Sequence, residues 1–273
     1  MKKLLIPVDF SSCSENALKY AMELSQNIEA ELFLLHVFHI PVPVTDVPYI
    51  SISLEDEDKQ VRLQMRQLAD KISKQTSYKG EIQLLTEMNF TIEGIVNKAK
   101  DIEADLLIMG QRGKTTFADR LFGSTATNMI NHSPCPVLIV PETAHYSPIN
   151  QIAAAVDYKQ QPDQQHINKL LEYAQVLKAA INFFTINNDE EKNNLNSWQW
   201  NDLPKDIKST FHVQQHDDIH EGILSFIQEH TVQWLCMFPH RHHFFELWFT
   251  RLNSGNMSQQ VPIPLLLINE TIL

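Results

Sequence analysis

The chain has 273 residues, 43% hydrophobic and 20% charged, enough for one large or two ordinary globular domains. Its formal charge is −11, from 22 Lys+Arg against 33 Asp+Glu, and the halves on either side of residues 141–149 are both acidic. Phosphate neutralisation needs clustered Lys and Arg, so a general DNA or RNA binder is disfavoured. No stretch approaches the roughly 20 apolar residues of a membrane helix. Asp9 ends the opening apolar run too early for a secretory signal. Cys13, Cys135 and Cys236 form an odd set without a CxxC pair and read as reduced thiols. A cytoplasmic protein, bound neither to nucleic acid nor to membrane, is expected.

Residues 3–8 form an apolar run that meets Asp9-Phe-Ser-Ser, a turn and helix-cap signal. Ala17, Leu18, Ala21, Met22 and Leu24 then recur at helical spacing. Residues 31–38 read as a buried strand, and 39–53, with three prolines, as a loop. A charged helix is predicted over 54–76, with Val61, Met65, Leu68 and Ile72 on one face. Next come a strand over 81–86, a helix over 91–102 and a strand over 105–109. A glycine loop, a helix from about Ser124 and a last strand after Pro136 complete the half. Strands apolar throughout, alternating with helices, predict a parallel sheet covered on both faces.

The second half repeats the first. Asn150-QIAAAVDY aligns with Lys2-KLLIPVDF, setting Asp157 against Asp9. Residues 94–140 then match 222–268 without a gap, at a constant offset of 128, so that Gly94 meets Gly222 and Pro134 and Pro136 meet Pro262 and Pro264. Shared glycines and prolines at fixed spacing ask for the same backbone turns. Two tandem α/β domains are expected, 1–141 and 150–273.

Three of the seven glycines stand at 110, 113 and 123. In an open parallel sheet, ligands bind beyond the carboxyl ends of the strands where strand order reverses. Asp9 and Gly110 would flank such a crevice. Gly110 and Gly113 would let backbone N–H groups approach a ligand, and Gly123-Ser124-Thr125 would open a helix suited to phosphate. Arg112, Lys114 and Arg120 add positive charge. The spacing fits a nucleotide. The bland alternative is that the glycines only form turns and that Asp9 caps the helix at 11–15.

The pattern Gly-x2-Gly-x9-Gly-Ser, a first strand ending Pro7-Val8-Asp9, and the final Ser133-Pro-Cys-Pro-Val-Leu-Ile-Val140 resemble the universal stress protein family over residues 1–141. The resemblance implies a doubly wound α/β domain with a mainly parallel five-stranded sheet (adenine nucleotide alpha hydrolase-like), often dimeric. In many members the loop holds ATP or AMP, and Mg2+ is an optional companion of the phosphates. By resemblance Asp9 would contact adenosine and Val37 would meet adenine through its backbone. Gly110, Arg112 and Gly113 would lie by ribose and phosphate. Gly123, Ser124 and Thr125 would hold phosphates, and Pro7 and Met109, ending strands one and four, are counted with the site. In the family the last strand often pairs with its copy. Residues 136–140 and 264–268 are therefore expected to pair within one chain as a pseudo-dimer, with homodimerisation and an unidentified protein partner as further options.

The second half lacks the loop. Gly110, Gly113 and Gly123 become Phe238, Arg241 and Arg251, and Ser124 and Thr125 become Leu252 and Asn253. ATP binding there is not expected. His240, His242 and His243, with Cys236 nearby, are too close in sequence to converge readily on a metal, and no metal site is expected. Phe244, Phe245, Leu247, Trp248 and Phe249 read better as packing or a partner surface. His36, within an apolar strand, reads as a core histidine, and Cys13 falls in a first helical turn where a thiol pKa can drop. No Ser-His-Asp order, paired acids or lysine nucleophile appears. The reading is a nucleotide-binding stress-response protein. A nucleotide-free scaffold is the alternative, and weak ATP hydrolysis a third, lesser option.

Overall fold

A computed structural model describes residues 1–39, 54–111, 125, 129, 132–156, 162–187, 203–204, 206–239 and 261–269. The N-terminal half runs β1 (Lys3–Pro7), α1 (Ser12–Ile28), β2 (Glu31–Phe38), α2 (Leu54–Thr76), β3 (Ile82–Met88), α3 (Thr91–Asp101), β4 (Leu106–Gln111) and β5 (Val137–Pro141). After it come β6 (Gln151–Ala155), α4 (Gln164–Leu177), β7 (Ala180–Asn187), β8 (Ser209–Gln215), α5 (Ile219–His230), β9 (Trp234–Met237) and β10 (Leu265–Leu267).

These form one ten-stranded sheet in the order β3-β2-β1-β4-β5-β10-β9-β6-β7-β8. The order reads alike from either edge. Every pairing is parallel except that of β5 with β10, where Leu265, Leu266 and Leu267 face Ile139, Leu138 and Val137 antiparallel. The expected meeting of the two last strands is therefore present within one chain. Pairing satisfies the N–H and C=O groups that either edge would otherwise leave open.

Continuous apolar strands are required because both sheet faces are covered. In β1, Leu4 and Ile6 join the α1/α2 core while Leu5 joins the opposite one. Each core continues into the second half: Leu4 shares its cluster with Ala154 and Trp234, Leu5 its own with Phe184 and Phe226. Ser11 caps α1 by accepting from the Ser14 N–H, and Glu29 ends it in the left-handed region at φ 54°. The segment after β5 is tied back to α1, for Asn16 Nδ2 donates to the carbonyls of Pro141 (2.9 Å) and Ala144 (3.1 Å). No helix among the described residues is long and apolar enough to cross a membrane.

One expectation shifts. The fourth strand extends to Gln111, so Gly110 is no loop residue but a strand end registered with Val140. Cys236 lies wholly buried inside β9, and burial pushes its thiol up. It is thus unsuited to join the nearby histidines, which themselves lie outside the described residues.

Candidate functional site

The chain winds from β1 outward to β2 and β3, then returns to place β4 on the other side of β1. The strand order thus reverses between β1 and β4, the kind of point at which an open parallel sheet forms a crevice. A cleft of about 180 Å³ lies there, walled by Pro7, Val8 and Asp9 after β1, His36 and Val37 of β2, and Met109 and Gly110 of β4. The first turns of two helices complete it: Ser11, Cys13 and Ser14 at α1, Thr91 and Ile95 in α3, with Thr125 nearby. Helix N-termini favour anionic or hydroxyl-bearing groups.

Asp9 is exposed, and it supports the helix cap instead of being the cap. Its Oδ1 accepts the Ser11 N–H (3.1 Å) and the Ser11 hydroxyl (2.5 Å), while its own N–H points to Ser14 Oγ at 3.4 Å. Partial burial pushes the carboxyl upward, but the hydrogen bonds from Ser11 and Ser14 together outweigh it and hold the group below 3.8. Asp9 is thereby a fixed, ionised acceptor with a second oxygen to offer. Phe10 takes φ 61°, a left-handed conformation uncommon for an aromatic residue, and so turns the chain sharply between strand and helix.

His36 is half-buried and lies on the wall of the cleft, where the core reading of the sequence did not put it. Its Nδ1 is 2.7 Å from the Val8 carbonyl. A carbonyl only accepts, so Nδ1 carries the proton. The Phe10 ring rests on the imidazole with centroids 4.7 Å apart. His36 therefore braces both residues flanking Asp9.

Gly110 is needed for a reason other than ligand approach. A Cβ there would lie 2.3 Å from the Cys13 carbonyl oxygen and 2.5 Å from its carbon, backbone atoms that cannot swing aside. The missing side chain lets α1 begin directly against the end of β4. Gly94 does the same between α3 and β2, where a Cβ would meet Val37 Cγ1 at 2.8 Å.

Of the residues expected from sequence, Pro7, Asp9, Val37, Met109, Gly110 and Thr125 line one cleft. Arg112, Gly113, Gly123 and Ser124 lie outside the described residues, as does Asp157. Sequence reasoning left out Val8, Ser11, Ser14, Thr91 and Ile95. The Asp-x-Ser signal could have flagged Ser11, but only the fold brings α3 to this wall. Chemically, Val37, Ile95 and Met109 offer apolar walls for a flat ring, beside a carboxylate and hydroxyls suited to a polyol.

At the matching place in the second half, Phe238 follows β9 and is buried in the α1/α2-side core, with its ring 6.5 Å from that of buried His166. A phenyl ring thus stands where the N-terminal half has no side chain at all.

Residues 1–141 match the universal stress protein family (Usp). Two universal stress proteins of Methanocaldococcus jannaschii are each 31% identical, over 150 and 152 residues; each alignment covers 51% of this chain, and they cover 81% and 94% of those proteins. The solved structure of a universal stress protein from Archaeoglobus fulgidus aligns over 98% of both chains with a TM-score of 0.69 at 18% identity, a likeness of fold that spans both halves. With its doubly wound parallel sheet, its cleft at the strand reversal and the family match over half its length, the chain belongs to the universal stress protein family.

Proposed function

We infer that this chain is a stress-response regulatory protein that holds one adenine nucleotide, ATP or AMP, in its N-terminal domain, residues 1–141. The second domain, residues 150–273, is a degenerate copy that binds none. The observation that carries the reading is the convergence of Pro7, Asp9, Val37, Met109, Gly110 and Thr125 on one cleft at the strand reversal. At about 180 Å³ the described walls are smaller than the roughly 300–1,000 Å³ of typical ligand pockets. They suit the base and sugar, with Asp9 accepting from hydroxyls or a base edge. Phosphates fall to Arg112, Gly113, Gly123, Ser124 and Thr125, and any Mg2+ would travel with them. The loss of all three loop glycines, with Phe238, Arg241 and Arg251 in their places, supports a second domain without nucleotide.

Titration calorimetry of the whole chain with ATP and with AMP tests this, alongside mass spectrometry of any ligand released from freshly purified, denatured protein. A stoichiometry near one is expected. Two equivalent sites per chain would refute the asymmetry, and no binding of either nucleotide would leave the scaffold reading.

A further inference from the structure

We propose that His212 on β8 and His230 at the end of α5 form a two-histidine site for a divalent transition-metal ion of the Zn2+ class, far along the sheet from the cleft. Their ring centroids are 4.7 Å apart at an interplanar angle of 67°. Two imidazoles bound side by side to one ion, with metal–nitrogen bonds of about 2.0–2.1 Å, have centroids roughly 4.5–5.5 Å apart.

The surrounding hydrogen bonds fix which nitrogen each ring can offer. Asn182 Nδ2 donates to Gln151 Oε1 (2.8 Å), so its Oδ1 faces Thr210 and accepts that hydroxyl proton at 2.8 Å. With its proton committed, Thr210 Oγ1 must accept from His212 Nε2, 2.8 Å away. His212 therefore carries its proton on Nε2 and keeps a lone pair on Nδ1. His230 Nδ1 lies 3.1 Å from the Phe226 carbonyl, which only accepts, so the lone pair of His230 is on Nε2. Metal-binding histidines characteristically donate their other N–H to a carbonyl or side chain in this way, which fixes tautomer and ring orientation. His230 is further held flat against Phe226, centroids 4.0 Å apart and 17° between planes, and His212 meets the same ring edge-on at 5.4 Å. Both histidines are half-buried, hence reachable from solvent.

The corresponding places in the N-terminal half are apolar. Leu85 pairs with Leu35 on β2 as His212 pairs with Phe184 on β7, and Ile102 precedes His230 by the 128-residue offset. Both Leu85 and Ile102 pack on the core beneath them. The fold thus needs no polar group at either place, and two histidines stand there together. No group of three or more His, Cys, Asp or Glu suited to a metal occurs among the described residues, so water completes the coordination. Imidazole ligands select Zn2+, Ni2+ or Cu2+ over Mg2+ or Ca2+.

The test titrates ZnCl2 into the full chain in a non-chelating buffer, with His240, His242 and His243 changed to Ala to remove a competing cluster. Binding is expected to persist in that background. His212→Leu and His230→Leu should each weaken it by more than about tenfold, and Thr210→Val, which removes the acceptor for His212 together with the donor to Asn182, by about tenfold. Unchanged Zn2+ affinity in both leucine variants overturns the proposal, as does loss of binding in the triple-alanine chain. Should a leucine variant fail to fold, 15N spectra of the wild-type imidazoles decide. Zn2+-induced shifts at His212 Nδ1 and His230 Nε2 support the site, and unmoved signals refute it.

Discussion

The indole N–H of Trp234, the first residue of β9, donates to the hydroxyl of Tyr20 on α1 across 2.7 Å, and both side chains are buried. The contact has a counterpart: the Tyr173 hydroxyl on α4 donates to the carbonyl of Asp105, just before β4. Each half thus sends a helix tyrosine to the start of a strand in the other. Burial pushes both hydroxyls well above the usual tyrosine range, so they stay protonated donors or acceptors.

Breaking the first contact leaves a buried polar group without its partner. Tyr20→Phe orphans the indole N–H and should cost about 1–3 kcal/mol; Trp234→Phe orphans the hydroxyl and adds the loss of packing. The double variant should cost less than the two together, since the second change removes the orphan. Urea denaturation of the four proteins gives the coupling, and strict additivity would contradict a direct bond.

Acid should loosen the two halves unequally. Asp105 Oδ2 accepts the backbone N–H groups of Lys2 (2.7 Å) and Lys3 (3.0 Å). At the 128-residue offset Gln233 Oε1 accepts those of Asn150 and Gln151, both at 2.9 Å. One anchor ionises and the other does not. Partial burial raises the Asp105 carboxyl, yet the two N–H donors, the amino terminus and Lys169 outweigh it and hold it below 3.8. A depressed folded value means the stabilisation is complete above 3.8 and is lost as pH falls through the lower one. Amide exchange at Lys3 should therefore accelerate relative to Gln151 as pH drops below 3.8, and Asp105→Asn should abolish the difference. Parallel loss of protection at both amides would be the contrary outcome.

Gly110→Ala is expected to destabilise the protein by about 1–3 kcal/mol, the usual cost of forcing atoms into packed space. Its Cβ would collide with the Cys13 carbonyl at 2.3 Å, so the start of α1 must retreat and take the wall of the cleft with it. Stability and nucleotide affinity should fall together. Calorimetry and urea melts on the same preparation test the link, and a loss of affinity at full stability would point to ligand contact alone.

For Asp9, Asp9→Ala should weaken nucleotide binding by about 1–3 kcal/mol, the worth of hydrogen bonds to a charged group, while Asp157→Ala leaves it unchanged. His36→Leu removes the donor to Val8 and should weaken binding through the displaced Asp9 turn. His36→Asn, whose amide N–H can replace Nδ1–H, should restore much of it. Equal effects of the two aspartate variants would mean the second half shares the site.

Much of this was legible because it is local. The apolar run at 31–38 and the amphipathic period at 54–76 match β2 and α2 residue for residue, since hydrophobic spacing fixes element type. Asp9, Val37 and Gly110, singled out by the family resemblance, do lie on one cleft. What could not be read were contacts made only when distant segments meet. An apolar setting hides that His36 faces a carbonyl 28 residues away, and nothing near Gly110 announces Cys13 as its neighbour. The tyrosine contacts between halves and the unlike anchors Asp105 and Gln233 depend on register, which appears only once the strands are ordered.

The pairing of β5 with β10 changes what the two halves are free to become. Identical subunits meeting along such an edge must carry identical sites, and any substitution appears on both sides of the axis at once. When one covalent chain supplies both sides, each side can drift alone while its partner sustains the fold. Phe238 can stand at one strand end while Gly110 is kept at the other, and His212 and His230 can arise where Leu85 and Ile102 remain. The union is also indifferent to concentration: dilution that would separate two subunits leaves this interface intact. A symmetric scaffold thereby becomes a lasting container for unlike functions.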